Sequence, residues 1–343
     1  MPRLSLALQG GGAHGAFTWG VLDRLLEERD IEIAGISGTS AGALNGAALK
    51  AGWLAGGARG ARENLDWLWA QVGAVGDLRL ASWMAPWLPF SAVANEAVEA
   101  VFPFSPQGIA AQVFSPYSYG PLWKNPLERV VRRFQYHRVC AAEGPALFVS
   151  ATNVRTGKVR VFSGEEITTE AILASACLPT VFQAVEMADP ATGQIEAYWD
   201  GGYSGNPALF PLYAPELPDD IVIVSINPLR RDELPSSALD IQNRINEISF
   251  NASLLAQLRA INFVKELLAD GKVAKGAMKD VKVHLIADDA LMNELSASTK
   301  LMPSPYLLFR LKEAGRAAAT RFLRDHRASI GREGTVDLPG LFG

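Results

Sequence analysis

Ser40 stands in Gly38-Thr39-Ser40-Ala41-Gly42, between the apolar run Ile31 to Ile36 and the small-residue stretch Ala43 to Leu49. That order predicts strand, tight turn, helix. It sets a hydroxyl at the tip of a turn beside helix N-terminal N–H groups, the placement a nucleophilic serine requires. A serine hydroxyl is a poor nucleophile at neutral pH, so a base must take its proton and preorganised N–H donors must meet the oxyanion formed on attack. Two other stretches offer these parts. Gly10-Gly11-Gly12-Ala13-His14-Gly15 largely lacks side chains, leaving consecutive amides free to point at an anion beside a helix start. Asp200 closes the apolar segment Ala197-Tyr198-Trp199 and precedes Gly201-Gly202, which puts a carboxylate at a strand end where the backbone turns freely.

Each part has a rival reading. Ser40 also reads as a turn serine with no chemistry, and the whole chain as a lipid-binding module without turnover. Gly10, Gly12 and Gly15 satisfy the Gly-x-Gly-x-x-Gly pattern of dinucleotide sites, but Ser37 and Gly38 stand where an acidic residue should end the second strand, about 20 residues on. Ser40, Asp200 and His284 fall in the chain order of an α/β-hydrolase triad. Against the triad, only one strand precedes the serine strand, and His284 falls inside the predicted strand Val281 to Ile286.

The elements that must position these residues open as strand (Leu4 to Leu8), glycine loop, helix (Ala16 to Arg29), strand (Ile31 to Ile36), glycine turn, helix (Ala41 to Lys50). A βαβα opening implies a parallel sheet covered by helices. Further strands are expected at Ala146 to Ala151, Val159 to Phe162, Ala197 to Trp199, Ile221 to Ile226 and Val281 to Ile286. Helical spacing recurs over Ile241 to Leu268, and a last helix over Tyr306 to Arg327 carries several arginines as a solvated or headgroup-facing surface. Between about 64 and 125, Trp67, Trp69, Trp83, Trp87 and Trp123 alternate with Pro86, Pro89, Pro103, Pro106, Pro116 and Pro121, which reads as an insertion, either a lid or rings packed on the sheet. The expected organisation is a catalytic domain over 1–240 containing that insertion, with 241–343 as a mainly helical extension packed on the same domain.

Composition narrows the partners. The 343 residues carry a net charge of −4 with both signs interspersed, so no basic field for nucleic acid is expected. Cys140 and Cys177 have no metal-ligand spacing, and neither a metal nor an organic cofactor is expected. No run approaches the ~18 apolar residues of a membrane span, and Leu4 to Leu8 is too short for a signal segment. A cytoplasmic protein is expected, with any membrane contact peripheral.

Taken together, the motifs resemble the patatin-like phospholipases. The resemblance lies in Gly10 to Gly15 followed by Gly20-Val21-Leu22, in Gly38 to Gly42, in Ala174-Ser175-Ala176-Cys177-Leu178-Pro179, and in Asp200-Gly201-Gly202 with Asn206-Pro207 after it. It spans roughly residues 4 to 230 in the family's order. The fold it implies is a three-layer α/β sandwich, with a central mostly parallel sheet flanked by helices. The chemistry it implies is a Ser–Asp dyad without histidine. Ser40 would be the nucleophile and Asp200 the base, with Gly10, Gly11, Gly12, Ala13 and Ala41 as oxyanion hole. Gly15, Gly38, Gly42, Gly201 and Gly202 would be motif glycines. Lipids would be cleaved at fatty acyl esters, in the manner of a phospholipase A or lysophospholipase, through an acyl-enzyme. Family members usually carry arginine or lysine where His14 stands, which makes His14 a candidate anion-stabilising group whose effect is weaker or pH-dependent. An ordinary aspartate titrates near about 4, so the base role asks burial beside Tyr198 and Trp199 to raise Asp200.

Overall fold

Alternation along the first strand decides how the layers stack. In β1 (Arg3–Leu8), Leu4, Leu6 and Leu8 point into one hydrophobic core and Ala7 into another, because successive strand residues face opposite sides of a sheet. β7 (Asp220–Val224) repeats the pattern, with Val222 and Val224 on the first face and Ile221 and Ile223 on the second. Strands buried on both faces need helices on both sides. The computed structural model supplies them; it describes residues 1–77, 115–119, 125–274, 276–295, 299–300 and 303–342.

Five strands run parallel in the order β3 (Ala146–Asn153), β2 (Glu32–Thr39), β1, β7, β8 (Lys282–Ile286). Beyond β3 the sheet turns antiparallel. β4 (Val159–Ser163) and β6 (Gln194–Asp200) both pair with β3, and β5 (Val185–Asp189) pairs with β6. The result is the expected α/β fold with a central, mostly parallel sheet between helices. β8 comes from beyond residue 240, so the later part of the chain completes this same sheet.

On one face lie α1 (Gly15–Leu25) and α2 (Ala41–Asp77), which breaks into two arms at Gly56 and Gly57. Two single-turn helices, α3 (Glu128–Val131) and α4 (Tyr136–Val139), and α5 (Thr169–Ser175) fill the same core with them. The second face is covered by α6 (Ala238–Ala269), through Leu254, Leu258 and Ile261. α7 (Asp289–Glu294) follows β8. α8 (Pro305–His326) then returns to the first face and lies against α1, and α9 (Leu338–Phe342) joins the second. Contact between α1 and α8 is backbone on backbone: a Cβ at Gly20 would lie 1.9 Å from the Lys312 carbonyl oxygen, and one at Gly315 2.0 Å from that of Phe17.

Two expectations change in detail. Residues 64–77 continue α2 instead of opening an irregular insertion; Trp69 is buried and stacks on Trp19, and Trp67 packs edge-on against Phe134. Pro116 begins a short 3-10 turn, while Trp83, Trp87, Trp123, Pro86, Pro89, Pro103, Pro106 and Pro121 lie outside the described residues. The arginines of α8 hold acids of the protein itself: Arg316 pairs with Asp23 and Glu27 of the α1 region, Arg310 with Glu294, Arg321 with Asp288.

Candidate active site

β2 ends at Thr39 and α2 begins at Ala41, which leaves Ser40 alone in the connection with φ +54°. Among the described residues it is the only non-glycine with positive φ, a strained conformation that persists only where its surroundings impose it. The surroundings are tight: a Cβ at Gly42 would lie 2.1 Å from the Leu8 carbonyl oxygen. The Ser40 amide donates to Ser175 Oγ at 2.8 Å, so the end of α5 pins the turn from the other side.

Sheet register brings Asp200 to this point. Ser150 of β3 pairs with Thr39 of β2 on one edge and with Val161 of β4 on the other. The next residue, Ala151, still faces β4 through Arg160, so Asp200, its second partner, occupies the lane that β2 has just vacated. Asp200 thus arrives at the tip of β2, beside the residue that follows Thr39. The Ser40 hydroxyl faces its carboxylate closely enough to favour the ionised form. Asp200 Oδ1 also accepts the Gly202 amide at 2.7 Å, and the Asp200 amide donates to the Cys177 carbonyl at 2.8 Å. Gly201 must lack a side chain, since a Cβ there would lie 2.2 Å from the Ser150 carbonyl oxygen. Burial lifts the Asp200 carboxyl to about 7, against the opposing pull of the Gly202 amide and the Ser40 hydroxyl. Cys177, buried beside it, has its thiol pushed up to about 12 by burial and by Asp200, and donates to the Gln183 carbonyl at 3.0 Å.

The glycine loop lies against the turn. A Cβ at Gly10 would sit 2.6 Å from Ser40 Cβ, and one at Gly15 2.5 Å from Ala41 Cβ. The amide of Gly10 is already engaged: it donates to Asn206 Oδ1 at 2.6 Å, and its carbonyl accepts Asn227 Nδ2 at 2.8 Å. The amides of Gly11 and Gly12 meet no acceptor among the described residues. Gln9, fully buried, ties this loop to three other segments, with Oε1 accepting the Ile226 and Asn227 amides and Nε2 donating to Asn251 Oδ1 at 3.1 Å and to the Asn206 carbonyl at 3.4 Å. Gln9, Asn227 and Asn251 carry no spacing signal, although a polar residue directly ending an apolar strand, as Gln9 does, is the kind of feature that marks one.

His14 is buried, and burial together with the nearby Lys300 lowers its pKa to about 3. It is therefore a neutral imidazole at neutral pH, with Nε2 2.7 Å from Thr299 Oγ1. His284 is not brought to Ser40. Its Nε2 lies 3.0 Å from Asp220 Oδ1 and its Nδ1 3.1 Å from Thr335 Oγ1, on a strand three places from β2, about 14 Å across the sheet. The Ser40–Asp200–His284 alternative has no geometric support: the imidazole is committed to Asp220 inside the sheet. Among the described residues no group of three or more His, Cys, Asp or Glu could hold a metal ion.

A family model for patatin-like phospholipases matches residues 6–213. The chain belongs to the patatin-like phospholipase family. Membership supports lipid acyl hydrolase activity in general. Comparison with curated proteins found no match. Among solved structures, VipD from Legionella pneumophila is similar at 14% identity and a TM-score of 0.43, over 95% of this chain and 67% of that one. The patatin-like match contains Ser40, Asp200, the glycine loop and Asn206, and it stops short of Asn227, Asn251 and Lys300. No helix among the described residues is long and apolar enough to cross a membrane.

Proposed function

We propose that the protein is a serine lipid acyl hydrolase working through a Ser–Asp dyad. The observation that carries this reading is a hydroxyl on a strained turn, facing a buried carboxylate that sheet register brings to the end of β2 and that burial lifts to about 7. An aspartate at its ordinary pKa would be too weak a base; one lifted toward neutrality exists ionised at physiological pH and has the basicity to accept a proton.

Asp200 takes the Ser40 proton as Oγ attacks the ester carbonyl carbon. Oxygen charge then develops against the amides of Gly11 and Gly12, which have no acceptor among the described residues, with Ala41 at the helix start beside them. Collapse expels the alcohol, which leaves with the proton from Asp200, and the acyl group stays on Ser40. Water, deprotonated in turn by Asp200, releases the fatty acid and restores the hydroxyl. Gly10 serves as an anchor of the loop, since its amide is bound to Asn206. His14, held neutral, contributes geometry through Thr299 and no positive charge.

Fluorophosphonate labelling together with hydrolysis of a p-nitrophenyl acyl ester tests the reading. Wild type is expected to label and to hydrolyse, Ser40→Ala to do neither, and Asp200→Asn to lose about 10³-fold in kcat with its circular dichroism unchanged. A folded wild type that does not label overturns it.

A further inference from the structure

The glycine loop is also gripped by a segment outside the family match. The Lys300 carbonyl oxygen lies where a Cβ at Gly12 would be only 2.2 Å away, and the preceding Thr299 contacts His14. The Lys300 ammonium donates to Asn227 Oδ1 at 3.2 Å and lies 3.6 Å from Glu247 Oε1. Glu247 is itself buried and held by Arg231 through both oxygens, at 2.7 and 2.8 Å.

Asn227 shows what the ammonium does. Its Nδ2 faces two acceptors, the Gly10 carbonyl at 2.8 Å and Gln9 Oε1 at 3.2 Å. An amide so placed must turn its nitrogen toward them, and its oxygen then needs a donor on the other side. Lys300 Nζ is that donor. Without it the buried Asn227 oxygen is left unsatisfied, and the reversed amide would set oxygen against the Gly10 carbonyl oxygen. The free amides of Gly11 and Gly12 lie between two tethered points, Gly10 on Asn227 and Asn206, and His14 on Thr299.

We propose that Lys300 is a positioning residue for the glycine loop: anchored on Glu247, its ammonium orients the Asn227 amide that carries Gly10, while its backbone carbonyl closes over Gly12. The proposal rests on the acyl-hydrolase reading, in which the Gly11 and Gly12 amides meet the oxyanion. Small displacements of such donors change the chemical step more than substrate binding.

The test compares wild type with Lys300→Met, Lys300→Arg, Asn227→Ala and the Lys300→Met/Asn227→Ala double variant on a p-nitrophenyl ester. Rates are expressed per active site titrated with fluorophosphonate. Lys300→Met is expected to lower kcat about 10- to 100-fold with KM within about 2-fold, and Lys300→Arg to restore most of the loss. In the Asn227→Ala background the Lys300 substitution should add less than about 2-fold, because both act through one amide. If Lys300→Met does not fold, Lys300→Ala carries the same comparison, again with no donor for the Asn227 oxygen. An active wild type with kcat per site unmoved in the lysine variants, or with fully additive losses, overturns the positioning role alone. A wild type that neither labels nor hydrolyses overturns the acyl-hydrolase reading and this one with it.

Discussion

The raised pKa of Asp200 fixes the sign of two pH effects. In the proposed dyad Asp200 acts as a base only when ionised, so kcat/KM is expected to climb as pH rises through about 7 and then level off, a profile that ester hydrolysis between pH 5 and 9 measures. Stability runs the other way. From about pH 4 to 7 an unfolded chain releases this proton while the folded protein keeps it, so stability falls across that window and levels off above it. The displacement from 3.8 to about 7 corresponds to roughly 4 kcal/mol. Asp200→Asn removes that penalty and keeps an oxygen for the Gly202 amide. Its melting temperature should gain on wild type from pH 5 to 7 and hold a constant lead above. A lead independent of pH would place the carboxyl pKa elsewhere. His284→Ala should retain hydrolysis but lose about 3–5 kcal/mol in denaturant titration, because Asp220 is left buried without its partner. Ser40 and Asp200 stand out in the sequence as candidates because each sits at a strand-to-glycine boundary, a local pattern. The neutrality of His14 is not, since it depends on burial beneath residues nearly 300 positions away.

Elements approach one another here through glycine. α1 and α8 touch backbone to backbone at Gly20 and Gly315, which lets the Arg316 guanidinium reach Asp23 and Glu27. Gly315→Ala would drive a methyl group into the Phe17 carbonyl, and α8 must move away from α1. Destabilisation of about 1–3 kcal/mol is expected, read as a lowered melting temperature, while kcat per titrated site stays within about 2-fold. The strands of the parallel region were legible as apolar runs, and Val281 to Ile286 became β8 with one residue trimmed. What the runs could not reveal was the lane change that seats β6 against β3 past the end of β2, since register depends on which edge is open. Nor could they reveal Gln9, Asn227 and Lys300 as a group. Each is a single polar residue, and only tertiary approach makes them neighbours.

At the scale of the whole molecule, one sheet with two covered faces joins residues from both ends of the chain. β1 is central, yet one of its neighbours, β7, and that strand's outer partner, β8, come more than 200 residues later. The tethers of the glycine loop at Asn206, Asn227 and Lys300 have a consequence for synthesis on the ribosome. The loop at residues 10–15 emerges first and its last tether some 290 residues afterwards, a delay of about 15–60 s at roughly 5–20 residues per second. A nascent chain therefore carries Ser40, the proposed nucleophile, for most of its elongation without the tethers that hold the glycine loop beside it. Chains stalled with residue 290 just outside the ribosome should not react with fluorophosphonate, and released full-length chains should. On the proposed mechanism, folding order keeps this centre silent until its last tether, at residue 300, has emerged.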